Sequence, residues 1–350
     1  MIANSYYSQE AHGPYQEHDI GNLELEEGGT LRACKLAYAT FGTLNTAKDN
    51  AILVPTWYSG TNKIMEQVYI GQGRALDPDK YFIVVVNQIG NGLSTSPHNT
   101  APPAGMGNFP HVRIGDDVRA QHKLLSEKFG LKSLALVAGG SMGAQQTYEW
   151  AVRYPDMVKR AAPIAGTAKN TEHDFLFTET LVDAITSDPG YNRGFYASAA
   201  DVREGLLRHA KMWAVMGWSS EFFKQSRHRA LGFSSLEDFI VNFMNGYFSV
   251  MDPNDLVCMA WKWQRGDVSR MSGGNLGEAL ARIKAKTFVM PVSHDMFFPP
   301  QDCEAEQKMI PGSEFRPLKS IDGHLALFGA DPEFVAQVDK NLKDLLAIAA

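Results

Sequence analysis

Gly139-Gly140-Ser141-Met142-Gly143 is the stretch that decides how this chain folds. An apolar run, Leu134 to Ala138, precedes it and reads as a buried strand. A helical run from Ala144 to Tyr154 follows it and stops at Pro155. A G-x-S-x-G pattern set between a strand and a helix predicts a sharp, strained turn that presents a serine hydroxyl. Only small residues fit around such a turn, and Gly139, Gly140, Gly143 and Ala144 meet that demand. The following helix aims the partial positive charge of its N-terminus at the serine. Alone the pattern is weak, because a Gly-rich connection from strand to helix can be tight packing and nothing more. It gains weight if the chain also supplies a base, an acid and donors for an oxyanion.

Composition bounds the answer. The 350 residues suffice for one large α/β domain with an insertion, or for two domains, and 44% hydrophobic residues can bury a sizeable core. The formal net charge is −6, so no strong attraction to nucleic acid or to an anionic membrane is expected. No apolar run reaches membrane-spanning length, and the start, Met1 to Ser8, has neither a basic end nor an apolar stretch, so no secretory leader is expected. Three scattered cysteines, Cys34, Cys258 and Cys303, suit free thiols in a reducing cytoplasm.

Working outward from the turn, strands are expected at Leu31 to Phe41, Ala51 to Val54, Tyr81 to Val86 and Arg160 to Ala165, with a helix from Ile114 to Phe129. Tyr81 to Val86 is apolar at every position after the first, as a strand covered on both faces demands. Residues 1 to about 30 read as an arm or edge strands, and 87 to 107 as a long loop. From about residue 167 to 280 the alternation gives way to helical sequence rich in aromatics, including Trp213, Trp218, Trp261 and Trp263. Most of these should pack their own core, while a few face the serine. Alternation resumes at Ala285 to Val292, with helices at Pro300 to Met309 and Asp331 to Ala347 around a strand at Glu314 to Leu318. The expected architecture is an α/β core of residues 1–166 and 281–350, a mainly parallel sheet with helices on both faces, carrying a helical cap of residues 167–280.

Chain order then filters the partners of Ser141, since in such a fold the acid and the histidine follow the serine. Of the histidines, only His294 and His324 lie beyond the cap, and His324 occupies a loop after the last strand. Asp295 follows an apolar strand and is the expected acid, ahead of Asp302, which falls in a helix, and Asp322, which is too near His324 in sequence. His324 would take the Ser141 proton while Asp295 fixes its tautomer. For the oxyanion, one backbone N–H should come from Met142 and one from the loop Thr56 to Ser59, with Tyr58 first and Trp57 as the alternative. The Trp57 and Tyr58 side chains would wall the acyl pocket.

Several stretches together resemble the homoserine O-acetyltransferase family of the α/β-hydrolase superfamily. They are Leu36 to Asn45, Asp79 to Ile83, Phe109-Pro110 with Asp117 to Gln121, Gly139 to Gly143 and Glu149 to Pro155. The resemblance runs along nearly the whole chain. It implies an α/β-hydrolase fold, acyl transfer through an acyl-Ser141 with Asp295 and His324, and a cytoplasmic homodimer built through the cap. Three positions depart from it. Leu325 stands where the family carries an aspartate that holds the substrate amino group. Lys211 aligns with an arginine for the substrate carboxylate, losing its planar fork. The oxyanion loop, Thr56 to Gly60, is bulkier.

The expected activity is therefore an esterase acting on a small ester, with Trp57, Lys211 and Leu325 as substrate contacts. The alternative is an O-acyltransferase moving an acyl group from acyl-CoA to an alcohol. A non-catalytic receptor on this fold is the remote third. No tightly bound cofactor, metal, nucleic acid or membrane partner is expected. Gly71 to Arg74 does not complete a dinucleotide fingerprint, no Lys-Ser/Thr follows the Gly-rich turn, and no His-Glu-x-x-His spacing occurs.

Overall fold

The computed structural model of the chain describes residues 1–349. Eight strands form one sheet in the order β1-β2-β4-β3-β5-β6-β7-β8. They are β1 (Gln16–Glu24), β2 (Thr30–Phe41), β3 (Ala51–Pro55), β4 (Phe82–Val86), β5 (Leu136–Gly140), β6 (Arg160–Ile164), β7 (Lys286–Val289) and β8 (Glu314–Phe315). β1 and β2 pair antiparallel, as do β2 and β4; every later pairing is parallel. Eight helices matter here: α1 (Asn62–Tyr69), α2 (Ile114–Phe129), α3 (Met142–Arg153), α4 (Glu172–Thr186), α5 (Arg203–Gly217), α6 (Pro253–Gln264), α7 (Pro300–Gln307) and α8 (Pro332–Ala347).

Why the central strands are apolar throughout is visible in how they divide their side chains. Successive residues of a strand point to opposite faces. Val84 and Val86 join one core with Val118 and Leu124 of α2 and Trp150 of α3. Ile83 and Val85 join the other core with Met65 of α1 and Val338 and Leu342 of α8. Helices cover both faces, so neither set of β4 side chains meets water.

Element edges differ from the sequence expectation in telling ways. β5 starts at Leu136 and runs on through Gly140, and α3 starts at Met142, so only Ser141 separates strand from helix. Leu134 keeps a single bridge to Val158. β8 is two residues long, although a further bridge joins Val292 to Leu318. The N-terminal stretch, expected as an arm or edge strands, holds β1, which is the edge strand beside β2. Between Ile164 and Lys286 there is no strand among the described residues, only helices, turns and a single antiparallel bridge between Lys169 and Asp267.

One buried ion pair ties this helical stretch to the sheet layers. Lys262 of α6 and Asp117 of α2 are both fully buried and bonded, and Lys262 Nζ also donates to the Ile89 carbonyl at 2.6 Å. Asp117 accepts from the Ile89 N–H at 2.7 Å. Burial raises the Asp117 carboxyl and the Lys262 charge lowers it, with burial the larger. Removing one partner leaves the other charge without compensation. Lys262→Met is therefore expected to lower stability by about 3–5 kcal/mol. In urea unfolding this reads as a lower midpoint at unchanged slope, and a shift worth under ~1 kcal/mol would refute it.

Candidate active site

Ser141 sits at φ 56° and ψ −124°, a conformation that non-glycine residues rarely adopt. The surroundings hold it there. Its N–H donates to the Ile164 carbonyl at 2.9 Å, and its own carbonyl accepts from the N–H groups of Ala144 and Gln145. A side chain on Gly139 would lie 2.3 Å from the Gly143 carbonyl oxygen. One on Gly143 would lie 2.6 Å from that of Pro55, so the glycines are there for close approach. The turn thereby holds Ser141 between β5 and α3 and draws the end of β3 against α3.

His324 and Asp295 reach the serine from loops that follow the parallel strands. His324 lies in a 3-10 turn, Gly323–Phe328, and Asp295 lies beyond β7. His324 Nε2 stands 2.8 Å from Ser141 Oγ, and His324 Nδ1 stands 2.7 Å from Asp295 Oδ2. The second Asp295 oxygen accepts from the N–H groups of Phe297 and Phe298, at 2.8 and 3.1 Å. That fixes the carboxylate so that Nδ1 donates to it, leaving Nε2 free to accept from the serine hydroxyl. Phe297 meets the imidazole edge-on at 4.8 Å. Ser141, His324 and Asp295 are all buried. Asp302 is in α7, and Asp322 pairs with Arg227, so neither approaches His324 Nδ1.

The loop after β3 is held from both sides. The Thr56 carbonyl accepts from the side-chain amides of Gln88 and Gln146. Tyr58, fully buried, carries its hydroxyl up to the helical stretch, 2.9 Å from His209 Nε2 and 3.0 Å from the Leu256 carbonyl. Burial pushes His209 down to about 3, so its ring is neutral. The Trp213 indole N–H points at the same Nε2 at 3.3 Å, which makes that nitrogen an acceptor. Among the described residues, the backbone N–H groups of Met142, Trp57 and Tyr58 have no acceptor within the chain.

A small cavity lies over the serine. It is lined by Trp57, Tyr58, Trp213, His324, Leu325, Leu327 and Phe328, and its free volume is about 10 Å³. One buried water needs roughly that much. The larger clefts, of about 490 and 560 Å³, include none of Ser141, His324 and Asp295 and lie elsewhere. Leu325 is buried and adds hydrocarbon to the cavity wall next to His324.

Lys211 is a correction. It is exposed on α5, two residues from His209 and two from Trp213, both buried and turned toward Tyr58. Two residues along a helix are about 200° apart, so Lys211 faces away from the cavity and cannot contact a substrate there. His209 was not among the expected site residues. Its only sequence signal is the i, i+4 spacing to Trp213, which puts both on one helix face.

One buried cluster has metal-ligand spacing among the described residues: His98, Asp252 and Asp255. His98 and Asp255 bond to each other at 2.5 Å, and Asp252 caps the start of α6 while accepting from the Tyr196 hydroxyl. It contains no residue that lines the serine cavity.

With this geometry in hand, known proteins give a consistent placement. A family profile described as alpha/beta hydrolase fold matches residues 52–330. An ethyl acetate hydrolase of Pseudomonas veronii is 65% identical over 347 residues, 99% of each chain. A solved structure of an acetyl esterase has a TM-score of 0.98 at 65% identity, over 99% of this chain and 100% of that one. A homoserine O-acetyltransferase of Leptospira biflexa is 31% identical over 306 residues, 81% of this chain and 80% of the relative. The transferases named from sequence resemblance are thus the more distant kin, and proteins named as esterases are nearer. Matched over most of its length by that profile, the chain belongs to the alpha/beta hydrolase family.

Proposed function

We propose that this protein is a serine esterase that hydrolyses small esters, acetate esters above all, through an acyl-Ser141 intermediate. The observation that carries this is the hydrogen-bonded series Ser141 Oγ, His324 Nε2, His324 Nδ1 and Asp295, whose Ser141 and His324 border a small cavity. The similarity to an ethyl acetate hydrolase supports the substrate class.

In the first half-reaction the Ser141 oxygen bonds to the ester carbonyl carbon while its proton passes to His324 Nε2. Asp295 stabilises the imidazolium through Nδ1 and does not itself take the proton. The negative charge gathers on the former carbonyl oxygen and is received by the N–H groups of Met142 and Tyr58, with Trp57 N–H as the alternative donor; that all three lack an acceptor within the chain supports this role. The carbon–oxygen bond to the alcohol then breaks, and the alcohol leaves with the proton from His324. Water, deprotonated by His324, attacks the acyl-serine, and the acid departs with Ser141 restored. These groups suffice, so no tightly bound cofactor enters. Transfer from acyl-CoA to an alcohol would use the same intermediate, but Leu325 and the outward Lys211 leave no charged group for an amino-acid acceptor.

Among the described residues, seven of the nine large hydrophobic side chains exposed on the surface fall between residues 167 and 280, among them Leu176, Val215 and Val241. That distribution supports a homodimer formed through this stretch. Cys34, Cys258 and Cys303 are free thiols, which suits the cytoplasm. No helix among the described residues is long and apolar enough to cross a membrane.

Ser141→Ala is expected to cut kcat/KM on p-nitrophenyl acetate by about 10³-fold or more; turnover near that of the parent would sink the acyl-serine route. Tyr58→Phe keeps the ring but frees it from His209 and Leu256. It should lower kcat about tenfold with KM little changed, less than the roughly 10²–10³ seen when an oxyanion donor is removed outright. A change confined to KM would show that the hydroxyl orders binding and not the oxyanion loop. Acetate release from ethyl acetate should proceed without added alcohol; strict dependence on an alcohol acceptor would favour a transferase.

A further inference from the structure

Beneath the serine cavity lies a second apolar cavity that the mechanism does not use. Its free volume is about 20 Å³, and Val54, Met65, Ala138, Ile164 and Leu342 form its walls. Its one hydroxyl, on Tyr69, is already engaged, donating to the Leu327 carbonyl at 2.7 Å. Two side chains line both cavities and so form the partition between them: the Trp57 indole and Leu327.

The partition stands in the path of the acyl arm of a bound ester. His324 must hand its proton to the departing alcohol, so the alcohol arm lies on the side of His324 and Leu325. The acyl arm then points the other way, toward Gly140. A side chain built on Gly140 would meet Leu327 Cδ2 at 2.9 Å and Trp57 Cε3 at 3.5 Å. Those two residues are what a longer acyl chain would strike. The indole is held by shape and not by a hydrogen bond. Its buried N–H has no partner, and it lies against Phe328 at 6.1 Å and Tyr69 at 6.4 Å. It also fills a slot that exists because residue 60 is glycine, since a side chain there would lie 2.3 Å from the indole nitrogen.

We propose that the cavity below Trp57 is a latent binding site for the hydrocarbon tail of an acyl group, sealed by Trp57 and Leu327, which together restrict the acyl group to acetyl size. The proposal rests on the acyl-serine reading and adds to it the element that sets chain length. Cutting back either residue joins the two spaces and opens the lower one to four- and six-carbon acyl chains. Its uncharged lining suits hydrocarbon and would reject a charged tail, because burying a charge without a partner is costly.

The test compares kcat/KM on p-nitrophenyl acetate, butyrate and hexanoate for the parent, Trp57→Leu, Leu327→Ala and the double change Trp57→Leu with Val54→Phe. The parent should fall steeply with chain length. Each single variant should raise the hexanoate-to-acetate ratio at least tenfold, and the added Val54→Phe should reverse the gain by refilling the lower space. Two backgrounds are used because the loss of an indole can unfold a protein, and Leu327→Ala removes less. Folding is checked by circular dichroism and Ser141 reactivity by a fluorophosphonate label. An unchanged ratio in folded, labelled variants overturns the proposal, as does a parent that already accepts hexanoate as well as acetate. A gain on butyl over ethyl acetate with none in the acyl series would assign the space to the alcohol arm and equally overturn it. Hexanoate turnover that survives Ser141→Ala would instead strike the acyl-serine route itself.

Discussion

The left-handed backbone at Ser141 is the constraint on which the rest depends. Holding a serine there costs on the order of 1–3 kcal/mol, and it persists only because its neighbours over-determine it. The sheet supplies the Ile164 carbonyl, α3 supplies two N–H donors, and glycines let the backbones of β5, α3 and β3 come into contact. Any side chain at 139 or 143 would push these apart. The strain is useful because it leaves the hydroxyl projecting from the turn toward a histidine that arrives from 183 residues downstream.

The same contacts that hold the helical stretch to the sheet layers also shape the site. Tyr58 leaves the loop after β3 and ends on His209 and Leu256, so the loop cannot shift unless α5 and α6 shift with it. Gly323, just before His324, lies so close to Gly217 and Ser219 that a side chain there would come within 3.0 Å of backbone. The Lys262–Asp117 pair anchors α6 to the loop at Ile89. Position of the helices and position of the reacting groups are therefore one problem. A loosened contact between these helices and the loops would be felt as misplacement of a donor or of the imidazole, and small misplacements are costly to rate.

What could be read from sequence follows from how local the signals are. The strand at 82–86 and the turn at 139–143 announce themselves because burial on both faces and a forbidden Cβ each leave a compositional mark. Ser141, Asp295 and His324, which the structure brings into one hydrogen-bonded series, were nameable because chain order leaves few candidates. Lys211 misled because alignment gives a position along a helix but not its phase, and an error of two residues turns a side chain to the far face. His209 and the Lys262–Asp117 pair were not legible at all. Asp117 and Lys262 stand 145 residues apart, and each looks like an ordinary surface charge until the fold buries both. β1 was foreseen only as an arm or edge, since a half-exposed strand carries a fainter pattern than a covered one.

Size and polarity at the cavity bear on which acceptor takes the acyl group. A homoserine molecule brings an ammonium and a carboxylate, and each would have to be stripped of water to enter. The lining is mostly aromatic and aliphatic, with Tyr58, Ser59 and His324 as its polar members besides Ser141, and it holds no carboxylate for the ammonium and no lysine or arginine for the carboxylate. Water carries no such cost, and the free space is of the order that a single water occupies. A neutral ester of small acyl and alcohol parts also sheds little hydration on entry. Hydrocarbon at Leu325, beside His324, therefore bears chiefly on which acceptor can approach. Such a lining leaves the chemistry of Ser141 unchanged while disfavouring charged acceptors.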